Sequence, residues 1–60
     1  MPQRYLRRRA VEELTGLSRS SIYDLMSREA FPRPIKLTDK AVAWSEQEIA
    51  DWLSSRPRAL

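Results

Sequence analysis

Gly16 is the only glycine in this sixty-residue chain, and it falls between two short segments that both carry helical apolar spacing. Upstream, Ala10, Val11 and Leu14 share a stripe at i, i+1, i+4 with Glu12 and Glu13 outside it, which predicts a helix from about Arg8 to Thr15. Gly16 stands where a left-handed residue ends such a helix. Leu17 then precedes Ser18, a good N-cap. Ile22, Leu25 and Met26 at i, i+3, i+4 predict a second helix from Arg19 to about Arg28, with Arg19, Ser20, Tyr23 and Ser27 off the stripe. Two short helices meeting at Leu14-Thr15-Gly16-Leu17-Ser18 are the sequence form of a helix-turn-helix.

The rest of the chain has to complete a core around that pair. Phe31-Pro32-Arg33-Pro34 is held extended by its two prolines. Ile35-Lys36-Leu37 alternates apolar and charged, the pattern of a half-buried strand, and Thr38-Asp39-Lys40 reads as a polar turn. Val42 and Trp44, alternating with Ala41 and Ala43, form a second strand. A two-stranded hairpin is unstable alone, so this one must pack on the helices. Ser45-Glu46-Gln47-Glu48 is a capping box opening a third helix that runs to about Ser54 or Ser55, with Ile49, Trp52 and Leu53 on its stripe and Pro57 beyond its end. At the N-terminus, Met1 to Arg4 reads as ragged, and Tyr5 and Leu6 as extended against the body. The expected fold is mainly α with a small β-hairpin, in the order helix, helix, hairpin wing, helix: a winged helix-turn-helix. A single domain spans 1–60 with an ordered core of about 4–55. Trp44 and Trp52 lie on apolar stripes and read as core rather than as stacking platforms for bases. The large apolar residues left over are Met1, Leu17, Phe31 and Leu60, which do not obviously cluster.

Composition narrows the chemistry. With no cysteine and no histidine, a disulfide framework, the common zinc sites and the Ser-His or Cys-His catalytic pairs are all absent. One glycine does not make a glycine-rich phosphate loop, and a body this small lacks a deep cleft, so a non-enzyme without metal or cofactor is expected. A chain of this length buries only about 60% of the surface its unfolded form exposes. No stretch approaches a membrane span or a secretory signal, which predicts a cytoplasmic, nucleoid-associated protein. The net charge is +3, and nine of the eleven cations are arginine, whose planar fork suits phosphate and guanine edges. Residues 1–40 hold nine cations and five acids, a balance of +4, whereas 41–60 hold two and three, a balance of −1. A basic front and a near-neutral back point to one face turned toward an anionic partner.

Three segments in this order and spacing resemble the AlpA family of prophage regulators. They are Leu6-Arg7-Arg8-Arg9-Ala10-Val11-Glu12-Glu13-Leu14-Thr15-Gly16-Leu17-Ser18-Arg19-Ser20-Ser21-Ile22-Tyr23, then Phe31-Pro32-Arg33-Pro34-Ile35-Lys36-Leu37, then Ala41-Val42-Ala43-Trp44 followed by a helix ending in Asp51-Trp52-Leu53. The resemblance covers about residues 4–55. It implies a winged-helix fold related to excisionases and to MerR-type DNA-binding domains. It also implies sequence-specific binding of double-stranded DNA and control of phage or integrated-element genes, often an integrase. The Arg7-Arg8-Arg9 run departs from the family pattern. Three cations at the positive end of a helix dipole are unfavourable in isolation and are relieved by a phosphate.

On that reading, helix 19–28 enters the major groove and the hairpin wing 35–44 meets the backbone or minor groove. Arg19 is placed to fork onto guanine O6 and N7, with Ser20, Ser21 and Tyr23 beside it. The plainer reading of these residues is solvated helix surface, with Ser18 and Ser21 capping and the Tyr23 ring against the wing. Arg7, Arg8, Arg9, Lys36 and Lys40 are candidate phosphate ligands, while Asp39 forms the turn. Arg33, between two prolines, reaches either phosphate or Glu29, Arg28 pairs with Asp24, and Arg56 and Arg58 form a solvated tail. The expected partners are double-stranded DNA, further copies of the chain on DNA, and an integrase or RNA polymerase. The nearest alternative role is an excisionase-type factor that bends DNA beside an integrase. A protein-interaction module that inhibits a host regulator ranks third, because it needs an exposed apolar patch.

Overall fold

The computed structural model describes residues 3–59. Its elements are β1 (Tyr5–Leu6), α1 (Arg8–Thr15), α2 (Arg19–Ser27), β2 (Ile35–Thr38), β3 (Ala41–Ser45) and α3 (Glu46–Ser54). The hairpin and the N-terminal segment form one antiparallel sheet of order β1-β3-β2, so the winged helix-turn-helix carries a three-stranded sheet rather than a free hairpin. Tyr5 lies opposite Ser45 and Leu6 opposite Trp44, while Ile35 faces Ala43 and Lys36 faces Val42. Of the segment expected to be ragged, Gln3 and Arg4 are tied down as well. The Glu46 N–H donates to the Arg4 carbonyl at 2.9 Å and the Ser45 hydroxyl to Gln3 Oε1 at 2.7 Å. These partners lie some forty residues away in sequence, outside the reach of a local pattern. Met1, Pro2 and Leu60 lie outside the described residues.

The turn between α1 and α2 forms as its residues dictate. Gly16 adopts φ 76° and its N–H closes the last α1 turn on the Glu12 carbonyl at 2.8 Å. The Thr15 hydroxyl donates to the Val11 carbonyl and accepts from the Leu17 N–H, so the reversal is hydrogen-bonded from both sides. Ser18 then caps α2 by accepting from the Ser21 N–H at 3.2 Å. The far end of α2 is less expected. Arg28 ends the helix, and Glu29 takes the left-handed conformation at φ 56°, the place a glycine usually fills. Its N–H reaches the Met26 carbonyl and the Ala30 N–H reaches the Leu25 carbonyl, which is the Schellman pattern. The reversal turns Phe31 into the core and presents the Ala30 carbonyl to the Trp52 indole N–H at 2.8 Å.

The core is Leu6, Val11, Ile22, Phe31, Trp44 and Ile49, drawn from β1, the three helices, β3 and the extended segment. Three expectations change here. Leu14, placed on the buried α1 stripe, is 48% exposed, because the eight-residue helix buries only the Val11 side. Phe31, left over in the sequence reading, is buried and meets Trp52 edge-on at 4.7 Å between centroids. The alternation at Ile35-Lys36-Leu37 does not make a half-buried strand. All of β2 is exposed, since it is an edge strand and a bulge between Lys36 and Thr38 leaves Leu37 without a register partner. At α3 the serine half of the capping box forms, with Ser45 Oγ accepting from the Glu48 N–H at 3.2 Å. Among the described residues, no cluster of His, Cys, Asp or Glu is placed to hold a metal ion, and no helix is long and apolar enough to cross a membrane.

The two left-handed residues predict opposite responses. Gly16→Ala meets open space at its new Cβ, so its cost is backbone strain alone, about 1–2 kcal/mol. Glu29→Gly removes the same kind of strain but adds freedom to the unfolded chain, so it should gain up to about 1 kcal/mol. Urea titration should move the midpoint down for the first and up for the second without a change in slope.

Candidate nucleic-acid interface

The Arg7-Arg8-Arg9 run sits where α1 begins. Arg7 is the N-cap residue, but its side chain makes no capping bond and the first turn holds no acid, so the helix opens with free N–H groups and the positive end of its dipole uncompensated. The fold then brings two distant segments to that point. Arg7, Arg8 and Arg9, with Tyr23 of α2 and Lys40 and Val42 of the wing, line one open concavity of about 270 Å³. Four of its six lining residues are cationic and none is acidic. A shallow basic hollow with helix N–H groups at its edge suits a phosphate or sugar-phosphate backbone better than a small apolar ligand.

The individual side chains differ in how free they are. Arg8 Nε donates to Glu12 Oε2 at 2.9 Å across one helical turn, so part of its fork is already engaged. Among the described residues, Arg7, Arg9, Lys36 and Lys40 make no ion pair. On α2, Arg19 lies over the Tyr23 ring at 5.6 Å from guanidinium carbon to centroid, which holds both side chains on the exposed face. Ser20 is exposed beside them. The Ser21 hydroxyl accepts from Ser18 Oγ at 3.1 Å, so it serves the helix start. Lys36 pairs in register with Val42, a residue of the concavity, but does not itself line it.

Arg33 stands apart. It is 4.0 Å from Glu29 and borders a different hollow with Pro32, Glu48, Asp51 and Trp52. Arg28 pairs with Asp24 at 3.2 Å, as i, i+4 spacing suggests. Arg56 is not a free tail residue. It covers the Trp52 ring at 4.5 Å and donates to the Trp52 carbonyl at 3.3 Å, because the helix end places it one turn beyond that indole. Val42 was missed as a site residue. Its apolar alternation with Trp44 marks it as core, and only the sheet register shows it reaching the basic hollow as well.

Residues 4–57 match the family model described as Prophage CP4-57 regulatory protein (AlpA). The chain is 43% identical over 54 residues to "Uncharacterized protein ORF88" of Enterobacteria phage P4, covering 90% of this chain and 61% of that protein, so it spans less than two thirds of that relative. It is 41% identical over 59 residues to "DNA-binding transcriptional activator AlpA" of Escherichia coli strain K12, covering 88% of this chain and 84% of that one. With the helix-turn-helix, the wing and a family match over nearly its whole length, the chain belongs to the AlpA family of prophage regulatory proteins.

Proposed function

We propose that this chain binds double-stranded DNA sequence-specifically and regulates transcription of phage or integrated-element genes in the cytoplasm, as one domain with no catalytic step of its own. The observation that carries this is the shared basic hollow. The start of α1 and the wing tip present cations to one hollow, and α2 adds Tyr23, over whose ring Arg19 lies, so a single duplex can meet all three. Helix α2 enters the major groove with Arg19 at a base edge and Ser20 and Tyr23 beside it. Arg7, Arg9, Lys36 and Lys40 take phosphates, and Arg8, steadied by Glu12, borders the same backbone. Ser21 supports the helix start, and Arg33 lies at the margin of the footprint. The relative named as a DNA-binding transcriptional activator supports this reading. An excisionase-type role uses the same contacts. It is separated by whether the protein changes transcript levels with no recombinase present, or changes integrase products only when that enzyme is supplied.

Helix and wing divide the work in a way that can be measured. With four phosphates engaged, log K against log salt should fall with a slope of roughly −3.6. Arg19→Ala should cost about 1–3 kcal/mol on cognate DNA and relax preference at one base pair. Lys40→Ala should weaken cognate and scrambled DNA alike and reduce the slope by about one. Both side chains are exposed, so circular dichroism should be unchanged. Titrations of both variants at several salt concentrations decide the matter. Equal losses on both DNAs for Arg19→Ala, together with loss of sequence preference for Lys40→Ala, would remove α2 from the major groove.

A further inference from the structure

Arg19 and Tyr23 stand one turn apart on α2, and they are held very differently. Ile22, fully buried, pins the helix beside Tyr23, which lines the basic hollow against Arg7, Arg9, Lys40 and Val42. A tyrosine also has few side-chain torsions to fix. Arg19 opens α2 and is exposed. The ion pairs found among the described residues engage Arg4, Arg8, Arg28 and Arg33 instead. Further along α2, the residues three and four positions on are Ile22 and Tyr23, the spacings that share a helix face. Ile22 belongs to the core, so the surface left to the guanidinium is the Tyr23 ring, 5.6 Å from its centroid.

We propose that Tyr23 is a positioning residue for base reading: its ring holds the Arg19 guanidinium in place on α2 before DNA arrives. The proposal rests on the DNA reading above and assigns Tyr23 a part in it that acts through Arg19. An arginine side chain carries large rotamer entropy, and ordering it only on binding costs affinity. A contact already made in the free protein lowers that cost. The chemistry of the partner matters. A carboxylate at position 23 would also hold Arg19, but it would accept the N–H donors that a guanine needs and would put a negative charge in the hollow. An aromatic ring attracts the cation through its π face and leaves those donors available for O6 and N7. The ring can serve as a platform because the buried Ile22 fixes its helix and the walls of the hollow confine it. Among the described residues the Tyr23 hydroxyl makes no hydrogen bond, so the ring and the hydroxyl can be tested apart.

Tyr23→Phe keeps the ring and removes the hydroxyl, whereas Tyr23→Leu removes both; the position is exposed, and circular dichroism checks the folds. One measurement needs no DNA. Nitrogen-15 relaxation of the Arg19 Nε–H in the free protein should give the same order for wild type and Tyr23→Phe, and lower order for Tyr23→Leu. The other begins with wild type selecting from random duplexes of about two helical turns, and Arg19→Ala then locates the base pair whose preference Arg19 sets. Discrimination at that base pair should be kept by Tyr23→Phe and lowered about two- to fivefold by Tyr23→Leu. Arg19→Ala combined with Tyr23→Leu should discriminate no worse there than Arg19→Ala alone. A tyrosine that only touched phosphate or supported the fold would weaken every duplex alike and leave this preference intact. Wild-type discrimination in Tyr23→Leu, an equal loss in Tyr23→Phe, or additive losses in the double variant each overturn the proposal. So does an Arg19→Ala protein that relaxes no base pair. If wild type selects no sequence at all, it is the sequence-specific DNA reading that falls. The hold of Tyr23 on Arg19 is then decided by relaxation alone, where lower order in Tyr23→Leu upholds it and unchanged order overturns it.

Discussion

The structure depends on Trp44 and the strand that carries it. Its side chain is fully buried, and its indole N–H donates to the Pro32 carbonyl at 2.9 Å. A tryptophan supplies a large share of the buried area a sixty-residue chain can muster, but only if its polar edge finds a partner inside. Pro32 meets that need because the extended Phe31–Pro34 segment runs past the indole with a carbonyl that no ladder or helix claims. One hydrogen bond thus locks the exit of the helix-turn-helix to the centre of the sheet. On either side of Trp44, β3 pairs with both other strands, and the next residue, Ser45, caps α3. The N-terminal strand, the wing and the last helix all take their positions from this short stretch.

The second indole repeats the device at lower stakes. Trp52 is half-buried, bonded to the Ala30 carbonyl, met edge-on by Phe31 and covered by Arg56. Both indoles therefore anchor to carbonyls in the connection between α2 and β2. That connection would otherwise be a free loop, and its left-handed Glu29 would have little to hold it there. Left-handed geometry at a non-glycine residue persists when its surroundings over-determine it. The two tryptophan bonds and the buried Phe31 ring are those surroundings.

The helices were legible because their signals are local. The span of α1, Gly16, the Ser18 cap and the Ser45 cap each depend on residues within a few positions, and each forms as spacing predicts. What could not be read depends on partners distant in sequence. The pairing of Tyr5–Leu6 with Trp44–Ser45 has no local signature in two residues. Leu14 lies on the right stripe, but how wide a face α1 buries is set by what packs against it. Glu29 carries no mark of its conformation, since the usual mark is glycine. For the candidate site, residue types pointed to α1, α2 and the wing tip. Their meeting in one hollow and the separation of Arg33 from the rest are properties of the folded chain.

The same strand fixes how the wing sits against the helices, which the proposed reading of DNA by both requires. A wing on a free hairpin would swing, and a duplex would have to order it on binding, losing affinity to that ordering. Here Val42 faces the basic hollow while Trp44, two residues on along β3, is sealed in the core. Alternation puts both side chains on one face of the strand, so any rotation of the wing about its axis would unseat the indole and break its bond to Pro32. The orientation of Lys40 relative to Tyr23 and Arg7 is therefore held by the largest buried side chain in the molecule rather than by contacts at the wing tip. On the function proposed above, the exposed tip residues are thereby left free to match a particular DNA, since changing them leaves that anchor intact.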